Sequence, residues 1–248
     1  MEPLGCNPVK FRDLFKNFFR IPRSQRDFVW GPDEVTLLLE DIDEFETEVD
    51  GDCYFIGSIV VYLQDGKFTL IDGQQRLTTL YLTLICLSHY FYDEESVDKP
   101  TKKLIQSQLE AQVQTKDQIQ DDLRLSLQTE GNRQVLEEIK QGRVLDIKIA
   151  GKTNSQKNIL KAYKTIEKWI NRKGISDARL FYLKLNGEVN LIQITAASPE
   201  HARKIFQTIN ARGLGLDAID IVKDILYQRT VQDLSESYRL FDKLEKMK

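Results

Sequence analysis

The stretch IDGQQRLTTL, residues 71–80, decides how this chain folds. Upstream, residues 54–63 are rich in β-branched and aromatic side chains, and an Asp-Gly turn signal at 65–66 separates them from a second short run at 67–71. This pattern predicts a β-hairpin that stops at Gly73 and turns directly into a helix. The apolar face of that helix is formed by Leu77, Leu80, Tyr81, Leu84 and Ile85.

Such a strand-to-helix turn leaves backbone N–H groups unpaired at the helix start, where they and the helix dipole favour an anion. Arg76 adds a guanidinium suited to bidentate phosphate contact. Gln74 and Gln75 can each donate and accept hydrogen bonds. Asp72 can cap the helix, or hold a metal ion or a water. On this segment alone, a capped helix with solvated polar residues in its first turn is an equally open interpretation.

Two other segments bear on the same question. Residues 21–30, IPRSQRDFVW, place a Gln-Arg pair between apolar residues, in a stretch that Pro22 keeps out of a helix. Residues 206–213, FQTINARG, end a helix on Asn-x-Arg-Gly, and the glycine fits a left-handed cap. Taken singly, each segment is more readily explained by a purely structural role. In that interpretation Trp30 and Phe206 belong to the core, and the arginines of the two segments are surface charges.

The remaining pattern predicts an α+β fold. We divide it into a core at residues 1–95 and a mainly helical extension at 96–248, which packs on the core and completes the site through residues 206–216. Residues 93–120 are polar and are expected to form a surface connection with some helix. Helical spacing predicts helices at 10–20, 34–46, 131–140, 155–171, after Ser198, after Asp217 and at 234–248, and short strands are expected at 123–127 and 190–195.

Composition excludes several classes of function. The formal net charge is −3, so the chain has no overall basic excess of the kind that nucleic-acid binders carry. No uncharged apolar run reaches the roughly 18 residues of a membrane span, and no secretory signal is evident. The three cysteines lack metal-ligand spacing and suit a reducing cytoplasm. The only histidines, His89 and His201, form no metal motif, which removes most metal-dependent nuclease sites from this chain.

Three further patterns are weaker. Gly-Lys-Thr at 151–153 resembles the end of a P-loop, but Asp146 stands where the first glycine would be. The acidic run at 40–48 is best explained as the solvated face of an amphipathic helix. One stripe of lysines on a predicted helix is compatible with DNA-backbone contact, although ordinary solvation is the favoured interpretation. The stripe consists of Lys157, Lys161, Lys164 and Lys168.

Together these segments resemble the N-terminal domain of GmrSD-type modification-dependent (type IV) restriction endonucleases. The family signatures are I-P-x-x-Q-R-x-[FY]-x-W, [FY]-x-G-S-I, D-G-Q-Q-R-L-T-T-L, F-x-x-x-N-x-R-G-x-x-L and D-x-x-K. They match in order at residues 21–30, 55–59, 72–80, 206–216 and 220–223. The nine-residue match from Asp72 is highly specific.

The resemblance implies a ParB/sulfiredoxin-like nucleotide-binding fold, a small mixed sheet with helices, followed by a helical extension. It also implies that the D-G-Q-Q-R motif binds and hydrolyses a nucleoside triphosphate (NTP), with Mg²⁺ or another divalent cation. Asp72 and Arg76 are then the catalytic residues, and Asp72 is also the metal ligand. The nucleotide-binding residues implied are Gly73, Gln74, Gln75, Gln25, Arg26, Asn210, Arg212 and Lys223.

The partners implied are an NTP, modified phage DNA and an HNH-type nuclease module on the same or another chain. A cytoplasmic, membrane-free protein is expected, and a homodimer is left open. Cutting would require residues beyond Lys248 or a partner protein. The leading hypothesis is NTP hydrolysis that gates such a nuclease. A non-enzymatic nucleotide-sensing or DNA- or partner-binding ParB-like module is the alternative. A sulfiredoxin-like redox enzyme is disfavoured, because residues 72–76 contain no cysteine.

Overall fold

The computed structural model describes residues 5–46, 53–114, 119–144, 148 and 150–211. The helices in this part of the chain are α1 (Phe11–Leu14), α2 (Pro32–Glu44), α3 (Gln74–Tyr90), α4 (Lys99–Leu109), α5 (Glu130–Lys140), α6 (Asn154–Gly187) and α7 (Pro199–Ala211). The strands are β1 (Gly5–Lys10), β2 (Phe19–Arg20), β3 (Tyr54–Gln64), β4 (Lys67–Asp72), β5 (Glu110–Gln114), β6 (Ile119–Leu123), β7 (Leu125–Ser126) and β8 (Val189–Ala196).

Six strands form one mixed sheet in the order β1-β8-β3-β4-β2-β7. β8 runs parallel to β3 and antiparallel to β1, while β2 runs parallel to both β4 and β7. A separate antiparallel pair consists of β5 and β6. The prediction of an α+β fold is confirmed. Strands from both residue ranges, 1–95 and 96–248, belong to the one large sheet. The division of the chain into a nucleotide-binding core and a helical extension that completes the site stays a prediction.

The hairpin and the helix after it are where the sequence predicts them. β3 and β4 pair antiparallel, and both Asp65 (φ 52°) and Gly66 (φ 72°) have the left-handed conformation that a two-residue hairpin turn requires. α3 begins at Gln74, directly after the turn at Gly73. The hairpin therefore delivers the end of β4 to the start of α3 without an intervening loop.

Other expectations need correction. The helix predicted at 10–20 ends at Leu14, because the backbone at Phe19 is drawn into the sheet between β4 and β7. The segment 93–120 contains helix as predicted, namely α4, but also the strand β5, which was not predicted. α6 continues well past the predicted end at 171, through a break at Gly174 (φ 76°, ψ 169°). β1 was not predicted at all.

Side chains on the two faces of the sheet enter two apolar clusters. Ile59 and Val61 of β3 join the large cluster that also contains the inner residues of α3 and α6. Val60, between them, joins a smaller cluster with Ile71 and Ala202 of α7, as expected from strand alternation. α7 thus lies beside the end of β4, where it borders the turn into α3. No helix in the described ranges is long and apolar enough to cross a bilayer.

Candidate functional site

A cleft of about 610 Å³ lies where three segments of the chain meet: residues 24–30, the β4–α3 turn and α7. This volume is within the range of roughly 300–1,000 Å³ that is usual for small-molecule sites. Its lining consists of Ser24, Gln25, Arg26, Trp30, Ile71, Asp72, Gly73, Gln74, Gln75, Arg76, Arg203, Phe206 and Gln207. Seven of the ten predicted site residues, namely Gln25, Arg26 and residues 72–76, are therefore brought together, although they come from two distant segments.

The turn at the cleft floor requires glycine. Gly73 is the N-cap of α3 and has φ 90°, a left-handed conformation that other residues adopt at a cost. A Cβ at Gly73 would also lie 2.5 Å from Cγ2 of Ile59, well inside van der Waals contact. No side chain caps this helix start, so the interpretation in which Asp72 is the cap is wrong. The amides of the first turn remain available at the cleft.

Arg76 lies on the same turn with its guanidinium largely withdrawn from water. Its Nη1 donates to the Ser58 carbonyl at 3.1 Å. Gly57 (φ 100°) makes room for it, since a Cβ there would lie 2.5 Å from the same Nη1. This close approach gives a physical reason for glycine at position 57, while Ser58 contributes its backbone carbonyl oxygen to the arginine.

The charge of Arg76 is not compensated at close range. Within the described ranges, no carboxylate lies within 4.0 Å of its guanidinium. Burial lowers the Arg76 pKa, and the more distant Asp72 carboxylate opposes this in part. An arginine nevertheless stays protonated in proteins. A desolvated cation without an anionic partner is costly, and an anionic ligand would relieve that cost.

The two glutamines of the motif tie the turn to the segment 21–30. Gln75 is only 5% exposed; its Oε1 accepts from the amides of Val29 (2.9 Å) and Trp30 (3.2 Å), and its Nε2 donates to the Asp27 carbonyl (3.0 Å). Gln74 Nε2 donates to the carbonyl of Arg26 at 2.7 Å. The bonds that hold these amides in place therefore go to the backbone of the neighbouring segment.

The same segment is anchored from its other side as well. Gln25 Nε2 donates to the Ile71 carbonyl at 2.8 Å, which joins it to the end of β4. The amide of Phe28 donates to Ser155 Oγ at 3.2 Å, and Asn158 Nδ2 donates to the Phe28 carbonyl at 3.2 Å. This stretch without helix or strand is thereby held as a rigid wall of the cleft. Gln74 Oε1 is buried and has no hydrogen-bond partner in the described structure.

α7 supplies the opposite wall. Sequence reasoning missed Arg203 and Gln207, although helical spacing puts them on the same side as the motif residue Phe206. Arg203 Nη2 also contacts Glu200 Oε1 at 3.3 Å, so its charge is shared. Asn210 lies in the last turn of α7, but its side chain is outside the described residues. Arg212 and Lys223 lie outside them altogether, and the nucleotide-binding roles predicted for these three residues stay predictions.

The cleft lining offers one carboxylate, that of Asp72. In the described part of the chain, no group of three or more His, Cys, Asp or Glu side chains is arranged to hold a metal ion. This donor set fits Mg²⁺ bound together with a phosphate ligand, because Mg²⁺ typically takes one or two carboxylates and completes its shell with phosphate oxygens and water.

One protein-family model matches most of the chain, over residues 11–227. Its description is GmrSD restriction endonuclease, N-terminal domain. No curated protein sequence matches the chain. The family match spans all three segments that line the cleft.

Proposed function

The chain belongs to the GmrSD restriction endonuclease N-terminal domain family and is a component of a GmrSD-like restriction system, and from this premise we propose that its cleft binds and hydrolyses an NTP. One observation carries the proposal. An uncapped helix start and a desolvated arginine without a close carboxylate partner face the same cleft. Both features favour a multiply charged anion such as a triphosphate.

The rest of the lining suits a nucleotide. Arg26 and Arg203 add positive charge on either side of the helix start, and Asp72 is the one opposing charge among the lining residues. Trp30 and Phe206 are half-buried aromatic side chains that offer apolar surface for a base. The proposed pose places the phosphates at the start of α3 and the base against the aromatic side chains.

Hydrolysis would proceed by attack of water on the terminal phosphate. The developing charge on the phosphate oxygens would be stabilised by Arg76 and by the amides of the first turn of α3. Asp72 would orient the attacking water or hold the metal ion. A bound Mg²⁺ would supply further charge neutralisation at the phosphate oxygens. We propose that this turnover gates an HNH-type nuclease module acting on modified phage DNA.

A second candidate is nucleotide binding without hydrolysis, with the nucleotide as a switch. It is favoured by the small number of groups in the cleft lining that could act as a general base, since Asp72 is the sole carboxylate there and no histidine is present. Under this alternative the cleft binds an NTP as tightly, but released phosphate does not accumulate.

Phosphate release from ATP, GTP, CTP and UTP with Mg²⁺ tests both candidates. We expect turnover of at least one NTP, and a loss of on the order of a hundredfold in Asp72→Asn, which keeps the shape and removes the charge. The matched control is Asp65→Asn in the exposed hairpin turn, where asparagine tolerates the left-handed backbone. Binding of a non-hydrolysable analogue without turnover of any NTP supports the switch, and absence of binding contradicts both candidates.

A further inference from the structure

A second depression in the molecule lies between α2 and α6 and has a volume of about 440 Å³. Four cations of α6 line it, while α2 contributes one carboxylate. The cations are Lys161, Lys164, Lys168 and Arg172, and the other lining residues are Pro32, Thr36, Glu40, Thr165 and Trp169. In a chain whose net charge is −3, this is a strongly positive local surface.

The cations form a straight line. Together with Lys157 they occupy positions i, i+4, i+7, i+11 and i+15 of α6, which lies before the break at Gly174. At 3.6 residues per turn they fall within about 80° of the helix circumference and extend over about 22 Å. That length corresponds to roughly six to seven base pairs of duplex DNA. We call these five residues the basic stripe.

The cations of the basic stripe take part in no ion pair within the part of the chain that the structure describes, since none of the five has a carboxylate there within 4.0 Å. The next cation, Lys173, is different: its Nζ lies 2.5 Å from Asp43 Oδ2 and 4.5 Å from the Trp169 ring centroid. Asp43 of α2 therefore reaches α6, but it forms its ion pair with Lys173 and with none of the five cations of the basic stripe.

We propose that the basic stripe binds the phosphate backbone of duplex DNA. Regularly spaced, unpaired cations on a rigid helix provide the sequence-independent part of DNA affinity. An acidic protein segment is the competing occupant, but protein interfaces have an apolar centre, and the apolar lining here is limited to Pro32 and the half-buried Trp169. Membership of a restriction endonuclease family also favours DNA.

The stripe adjoins the nucleotide cleft. Trp30 lines the cleft and Pro32 lines the groove beside the stripe, so their Cα atoms lie within about 7.6 Å of each other. Bound DNA would thus pass next to the wall formed by residues 24–30. The proposal goes beyond the NTP site and does not depend on hydrolysis, so its failure would leave the proposed function untouched.

Fluorescence anisotropy with a labelled, unmodified 24-base-pair duplex, without nucleotide and at 50–200 mM salt, tests the proposal. We expect the triple variant Lys161→Gln/Lys164→Gln/Lys168→Gln to bind on the order of a hundredfold more weakly at 100 mM salt. The plot of log K against log salt concentration should become less steep. The magnitude of its negative slope should decrease by about 2.7, because each of the three lost phosphate contacts contributes about 0.9. Glutamine has nearly the helix propensity of lysine, so the fold is retained, as circular dichroism would verify.

The matched control is Lys10→Gln/Lys99→Gln/Lys103→Gln, which removes the same charge from exposed lysines elsewhere and should leave the slope unchanged. Replacing the three stripe lysines by arginine should preserve binding. Single substitutions should each lower the slope by about 0.9. Equal binding by the stripe and control triple variants overturns the proposal. So does an absence of wild-type binding at 50 mM salt, or a stripe-dependent affinity for a poly-glutamate peptide without one for DNA.

Discussion

Helices α3 and α6 both begin beside the segment 21–30, yet their first turns are built in opposite ways. At α6, Thr153 Oγ1 accepts from the Gln156 amide (3.3 Å), and Gln156 Oε1 accepts from the Thr153 amide (2.8 Å). This capping box closes the helix start with its own side chains. At α3, Gly73 provides no cap, and the side chains of the first turn bond the neighbouring segment instead. The closed start satisfies its own amides, while the open one leaves its first-turn amides without a capping side chain, as the proposed nucleotide site requires.

The largest effect on stability is expected at Gly73. Gly73→Ala combines a left-handed backbone with a clash against Ile59, and we expect a loss on the order of 3 kcal/mol in free energy of unfolding. Gly66→Ala is the matched control, since Gly66 has a similar φ but nothing within 4 Å of the added Cβ, and it should cost about 1 kcal/mol. Urea denaturation measures both. Equal losses in the two variants would show that the contact between the added Cβ and Ile59 does not affect the free energy of unfolding.

A smaller loss is expected at Gln75. Gln75→Leu removes three hydrogen bonds to residues 27–30, and we expect a cost of about 2 kcal/mol together with faster amide exchange at Val29 and Trp30. Gln64→Leu, at an exposed glutamine, should change stability by less than about 0.5 kcal/mol. Unchanged amide exchange in Gln75→Leu would mean that the segment is held by other contacts.

The closed helix start should respond differently. Thr153→Ala removes one half of the capping box and should cost about 1 kcal/mol in stability. Its affinity for a nucleotide should equal that of the wild type, because this first turn does not line the cleft. A loss of nucleotide affinity in Thr153→Ala, measured by calorimetry, would remove the distinction between the two helix starts.

The smallest effect, and one of unusual sign, is expected at Arg76. In the absence of ligand, Arg76→Met should leave the urea midpoint unchanged or raise it slightly. The substitution removes a desolvated cation, which offsets the loss of the hydrogen bond to Ser58. Arg20→Met, at a solvent-accessible arginine that contacts Asp65, provides the comparison. A clear loss of stability in Arg76→Met alone would assign Arg76 a structural role.

Local patterns predicted the hairpin and α3 well, since alternation, the turn signal at 65–66 and helical spacing all lie within about 40 residues. The edge of the sheet was not predictable in this way. β1 pairs with β8, so Cys6 lies opposite Ile194. The local sequence of β1 does not indicate a pairing partner so far away along the chain. Phe19 likewise has helical spacing but is paired on both sides by strands.

The candidate site divides in the same manner. Because the segments at 21–30, 72–80 and 206–216 match one family in order, the sequence indicated that Gln25 and Arg26 meet residues 72–76, while the roles predicted for Asn210, Arg212 and Lys223 stay predictions. The sequence did not indicate that the side-chain amide of Gln75 hydrogen-bonds to the backbone of residues 27–30. These bonds depend on where residues 27–30 lie in space relative to α3. Arg203 was missed for a similar reason: only the packing of α7 beside Ile71 turns it toward the cleft.

The central claim is that the open start of α3 and Arg76 bind the phosphates of an NTP. Isothermal titration calorimetry of wild type and Arg76→Met with non-hydrolysable analogues of the four NTPs, in the presence of Mg²⁺, tests it most directly. We predict binding by the wild type and a loss of roughly ten- to a hundredfold in affinity in the variant, the worth of a charged hydrogen bond. Equal affinity of the two proteins, or no binding by a folded wild type, would contradict it.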